Sequence, residues 1–142
     1  MKKSLFLALV LLSGCSTRGR TQIEEQDRAL PNLRKAILSV MGTARTVSEN
    51  QREYSSPYFS RGFSEKFDPE RSVERAYATF TILGDRRPYT IEIVVSVEKR
   101  IGKKYNFVGT DKKIANDLKK ELKEKLAQSQ DGVNVIDGFR PF

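Results

Sequence analysis

The chain has 142 residues, a formal charge of +8, 31% charged residues and 38% hydrophobic ones, which suits one domain with a modest core. It contains no His and one Cys. Counting alone therefore excludes intramolecular disulfides, zinc sites of the Cys/His type, and Ser-His-Asp or Cys-His nucleophile pairs.

Met1-Lys2-Lys3 is a short positive region, followed from Ser4 to Gly14 by the apolar run Leu5, Phe6, Leu7, Ala8, Leu9, Val10, Leu11 and Leu12. This run falls short of the ~20 residues that a membrane-spanning helix needs. Charge, a short apolar stretch and then small residues is the layout of a secretory signal peptide. Leu12-Ser13-Gly14-Cys15 resembles the bacterial lipobox, in which an aliphatic residue and two small ones precede an acylated Cys. The resemblance covers the first 15 residues. It implies cleavage before Cys15, lipidation of Cys15 and three acyl chains, a palmitate-type anchor. Each buried methylene is worth about 0.8 kcal/mol, so three chains hold where one binds reversibly. Ser16 stands where Asp accompanies inner-membrane retention, so the resemblance favours the outer membrane, with the domain on its periplasmic face.

Residues 15–30 (CSTRGRTQIEEQDRAL) read as the lipidated Cys and a polar tether. A single domain is expected over residues 31–142. Pro31 suits a helix start, and Leu33, Ile37, Val40, Met41, Ala44 and Val47 recur at helical spacing, predicting a helix over 31–49 with Gly42 as its weak point. Residues 50–71 carry Tyr54, Tyr58, Phe59, Phe63 and Phe67 among Ser, Pro, Gly and charged residues. They read as an edge strand and a loop whose aromatics either form a binding surface or fold back over a core edge, the commoner outcome. Ala76, Ala78, Phe80 and Ile82 alternate in one strand, and Tyr89, Ile91, Ile93, Val95 and Val97 in the next, joined by a hairpin connection at 84–88. A third strand is expected from Lys104 to Val108 after a turn at Gly102. Thr110-Asp111 opens a second helix in which Ile114, Leu118, Leu122 and Leu126 recur every four residues. Val133, Val135 and Ile136 suggest a last short strand.

The expected fold is α+β: an antiparallel sheet of three to five strands with two amphipathic helices packed on one face. Small envelope lipoproteins look broadly similar, an analogy that places no functional residue. The charge is uneven. Residues 15–98 hold 13 basic and 12 acidic side chains, residues 99–142 hold 11 and 6. Lys99, Arg100, Lys103 and Lys104 would share a hairpin tip, and Lys112 and Lys113 with the free N–H groups of the second helix could join them as an anion-binding group. The bland alternative is a solvated rim. Glu92 and Glu98 lie about 20 Å apart by strand rise, too far to flank one glycosidic bond. The four-residue Leu period of the second helix reads as a core face, not a coiled coil.

The sequence therefore reads as a noncatalytic accessory or assembly lipoprotein of the cell envelope. It has no cofactor or metal, no nucleic-acid partner given the export signal, and an envelope protein as its partner. The alternative is a binder of lipopolysaccharide, anionic lipid or glycan through the basic C-terminal third. Replacing Cys15 with Ser should give a precursor of unchanged length that a palmitate analogue does not label. Robust labelling of that variant would refute the anchor.

Overall fold

The computed structural model describes residues 19–62 and 66–131. In chain order it contains β1 (Arg20–Gln26), α1 (Leu30–Met41), β2 (Thr46–Val47), β3 (Glu53–Ser55), β4 (Glu74–Leu83), β5 (Tyr89–Ile101), β6 (Lys104–Thr110) and α2 (Lys112–Asp131). The α+β class and the antiparallel sheet with two helices agree with the sequence reading. The strand count does not, because the sheet has six strands among the described residues.

The long hairpin of β4 and β5 is the centre. Ten residue pairs align from Glu74 opposite Lys99 to Leu83 opposite Thr90. Ala76, Ala78, Phe80 and Ile82 face one side with Ile91, Ile93, Val95 and Val97, and all eight are buried. They join Leu33, Ala36 and Ile37 of α1 and Ala115, Leu122 and Leu126 of α2 in one core cluster. The alternating pattern of the strands and the i, i+4 pattern of the helices thus converge on a single apolar layer. Phe80 is fully buried, and such Phe-to-Ala truncations cost roughly 3–5 kcal/mol.

Beyond β4 the sheet continues to β3 and β2, with Tyr54 opposite Phe80 and Val47 opposite Tyr54. The other edge of β5 is divided between two strands. β1 pairs with its first half, from Arg20 opposite Val94 to Gln26 opposite Tyr89. β6 pairs with its second half, from Thr110 opposite Ser96 to Lys104 opposite Ile101. The two run in the same direction, end to end, and meet where Gly19 lies against Thr110. A Cβ on Gly19 would overlap the Thr110 side chain, and its φ of 86° suits only glycine at low cost.

β1 corrects the reading of residues 15–30 as a tether. Thr21 and Ile23 are buried, and the Thr21 hydroxyl donates to Asn116 Oδ1 at 2.6 Å, fastening β1 to α2. The strand escapes hydropathy because it is an edge with only two inward side chains. A register shift between Ile23 and Gln26 ends it, with Glu25 at φ 54°.

The first helix is shorter than expected. Gly42, at φ 73°, terminates it and donates its N–H to Leu38 O at 2.9 Å. Ala44 lies in the following loop and Val47 in β2. The hairpin connection at 84–88 and the opening of α2 at Asp111 fall where expected. The strand expected at 133–136 lies outside the described residues. Among the described residues no helix is long and apolar enough to cross a membrane.

Removing residues 1–18 should leave a cooperative thermal melt, whereas removing residues 1–29 strips β1 from β5 and exposes Ile91 and Ile93 along that edge. Loss of Ile23 burial alone costs roughly 2–3 kcal/mol. Equal melting temperatures for the two truncated chains would show that β1 contributes nothing.

Candidate functional site

The structure bears on the six cations singled out from the sequence one by one. Lys99, Arg100, Lys103 and Lys104 do share the β5–β6 tip, where Gly102 turns the chain at φ 64°. They are not equally available. Lys99 Nζ lies 3.8 Å from Glu74 Oε2, an exposed and weak pair. Arg100 folds back, its Nε donating to Gly102 O at 3.1 Å and its Nη1 to Glu70 O at 3.4 Å. Lys103 and Lys104 make no ion pair among the described residues and are exposed.

Lys112 and Lys113 do not join them. The length of β6, seven residues, places the start of α2 about 20 Å from the tip. The N-terminus of α2 is also occupied. Asp111 Oδ1 accepts from the Ile114 N–H at 3.1 Å, and Asp111 Oδ2 takes Arg61 Nη1 at 3.3 Å. Arg61 in turn grips Glu74 at 2.6 Å. The Ile114 amide chiefly holds the Asp111 carboxyl below its ordinary value; burial opposes it, and the Arg61 guanidinium adds further downward pulls. The free helix N–H groups expected from the sequence are thus already capped. Cys15 lies outside the described residues.

Both glutamates weighed as a carboxylate pair are engaged. Glu92 accepts from Arg20 at 3.5 Å and Gln22 at 3.2 Å, and Glu98 takes Arg75 at 2.8 Å. Among the described residues no group of three or more His, Cys, Asp or Glu comes together as a metal site would require. A groove of about 450 Å³ runs between α1 and α2, lined by Asn32, Lys35, Ser39, Lys125 and Gln128. A smaller, more apolar cavity of about 210 Å³ lies near Val40, Met41, Phe59 and Leu118.

An Arg–Tyr stack on the sheet face away from the core has no counterpart in the sequence reading. Arg75 is nearly buried there, its guanidinium 3.7 Å from the Tyr58 ring centre and 3.6 Å from that of Tyr105. Arg45 lies 4.4 Å from the Tyr58 centre and 5.0 Å from that of Tyr77. Tyr58 and Tyr77 meet edge to face at 5.7 Å. The Tyr105 hydroxyl donates to Ser72 O at 2.6 Å. These rings are consumed by the protein's own cations, so the stack braces the uncovered face and offers no ring to a ligand. The aromatics of 50–71 divide accordingly. Tyr54 and Phe59 serve the core, Tyr58 the brace, and Phe63 lies outside the described residues.

A different surface does stand open. The exposed large apolar residues include Phe107 (63% exposed), Val108 (50%), Ile101 (64%) and Val73 (76%). All four gather at the β5–β6 hairpin, where the Arg100 N–H donates to Val73 O at 2.8 Å. A register shift between Val97 and Glu98 leaves Val108 without a partner on β5, while Gly109 and Thr110 stay paired with Val97 and Ser96. The hairpin singled out from the sequence for its cations therefore also presents exposed apolar side chains.

Comparison with known proteins finds no matching family model and no similar curated sequence.

Two measurements check the electrostatics. Arg75→Ala should destabilise the fold by roughly 2–3 kcal/mol, since it leaves Glu98 half-buried without its partner; a loss under about 0.5 kcal/mol, usual for plain surface changes, would show the stack to be ornamental. The Asp111 carboxyl titrates lower when folded, so its contribution is present above its unfolded value of 3.8 and is lost as pH falls through the folded one. Asp111→Asn should therefore flatten the acid limb of a stability–pH curve, and an unchanged acid limb would show that other carboxylates set it.

Proposed function

We propose that the chain is a membrane-anchored lipoprotein of the bacterial envelope, held on the periplasmic face of the outer membrane by lipid on Cys15, and that it acts there without catalysis as an accessory or assembly factor. The observation that carries this is positional. A lipobox-type signal ends at Cys15, and the folded domain begins four residues later at Gly19 with a strand of its own sheet. That spacing fits a domain meant to sit at the membrane rather than to sample the space beyond it.

The accessory role is supported by how the ionisable groups are used. Glu92, Glu98, Asp111, Arg61, Arg75 and Arg100 are all spent on the protein's own architecture. What is left outward-facing is a contact surface, apolar in part and basic in part.

The second reading, a binder of an anionic envelope component, is favoured by one specific observation: Lys103 and Lys104 are exposed and make no ion pair among the described residues. Salt separates the two. Crosslinking in intact cells should recover an envelope protein whose contact survives high ionic strength. Binding to lipopolysaccharide that collapses with salt, and that is lost on Lys103→Gln and Lys104→Gln, would replace the accessory reading by the second one. Recovery of the native chain in the soluble periplasmic fraction would refute both.

A further inference from the structure

We infer that the β6 edge lies on the bilayer to which the chain is anchored, with Phe107 and Val108 in the interface and lysines on either side of them. The inference rests on the lipid anchor proposed above and adds which surface meets the lipid.

The tether carries the argument. Four peptide steps separate Cys15 from Gly19, and a fully extended chain gains at most ~3.6 Å per step, so Gly19 stands within about 14 Å of the lipidated residue. A domain of this size has a radius of gyration of about 13 Å, so the anchor cannot lift it clear of the surface. It can only choose which side to lay down. Gly19 is packed against Thr110, the last residue of β6. Phe107 and Val108 are three and two residues from that point, within about 10 Å along the strand.

Chemistry then selects between the two strands that meet at Gly19. The β1 side leads to Glu24, Glu25 and Asp27, which anionic headgroups would repel. The β6 side carries two exposed apolar side chains between Lys103 and Lys104 at one end and Lys112 and Lys113 at the other. An apolar centre with cations about 20 Å apart is a poor cage for a single phosphate, but it matches an extended surface of acyl chains and negative headgroups. Ile101 and Val73 are further exposed apolar residues near the hairpin tip.

The chain contains no Trp, so Phe107→Trp creates a sole indole reporter at an exposed position. Val47→Trp provides its counterpart on β2, at the far edge of the sheet. Each lipidated full-length variant would be reconstituted into vesicles of phosphatidylcholine and phosphatidylglycerol bearing brominated acyl chains, and flotation and thermal melting measured alongside. The expected result is that bromolipid quenches Trp at 107 roughly threefold more than Trp at 47, and that adding Lys→Gln at 103, 104, 112 and 113 reduces this difference without affecting flotation. Equal weak quenching at both positions, in protein that still floats with the vesicles, overturns the inference and leaves the anchor standing. Protein that does not float overturns the anchor, and the inference with it.

Discussion

A single edge of β5 serves two strands, and most of the molecule follows from that division. β5 is thirteen residues long, longer than either β1 or β6 could match with seven. Two short strands laid end to end satisfy its backbone groups where one could not, and unpaired buried N–H and C=O groups are costly. The junction needs two chain segments in almost the same place. Gly19 makes this possible by having no side chain to meet Thr110 and by taking a positive φ. The chain then leaves the junction through Asp111, whose N–H donates to Val95 O at 2.9 Å, and enters α2. The end of β6, the cap of α2 and the start of β1 are therefore one structural point, fastened further by Thr21 to Asn116 and by Arg61 to Asp111.

The two faces of the sheet are stabilised by different physics. The core face uses apolar burial under two helices, about 25 cal/mol for each Å² withdrawn from water. Among the described residues the other face carries no helix and is held by arginines lying over tyrosines and paired with glutamates. A face of that kind stays half wet, which is why Thr79, Thr81, Thr90, Val94 and Ser96 are only half-buried. Arg75 is suited to the position because its long aliphatic stem packs while its planar head stacks and pairs at once. Its partners come from β5, β6 and the segment before β3's neighbour β4, so the brace ties distant parts of the chain together across a surface that hydrophobicity leaves unsecured.

Elements whose periodicity is set by core burial were legible in the sequence. β4, β5 and α2 bury alternate or every-fourth side chains, so composition reports them directly. Where other forces decide, the pattern is silent. β1 has two inward side chains, one of them Thr, so beyond the burial of Ile23 its stability comes from ladder hydrogen bonds and one side-chain bond to α2. The helix expected to reach residue 49 stops at Met41 because the backbone of Gly42 takes a conformation that the apolar spacing of Ala44 and Val47 does not encode. The tip cations were legible as a group, since a tight turn necessarily gathers its flanks. Their inequality was not, because the back-folding of Arg100 onto Gly102 and Glu70 carbonyls depends on the loop before β4. The Arg–Tyr stack draws on residues 45, 58, 75, 77 and 105, a spacing with no local period to read.

The free edges of the sheet bear on the proposed anchoring. An exposed edge offers unpaired N–H and C=O groups to any other strand, and proteins blunt such edges with charge, brevity or bulges. β2 is two residues long, with Arg34 reaching over to the Asn50 and Gln51 carbonyls beside it. β1 is polar outward and ends in an irregularity with Glu24 and Glu25. β6 has its bulge and its lysines, yet it keeps Phe107 and Val108 outward, where two polar residues would have served solubility better. In a freely diffusing protein that combination invites association. Under the anchor proposed on Cys15 it acquires a different meaning, because the surface nearest that edge would then be a bilayer. The lysines that discourage pairing between copies would, on that proposal, also attract anionic headgroups. Edge protection and the proposed membrane seating would thus be met by one arrangement of charge around an apolar centre.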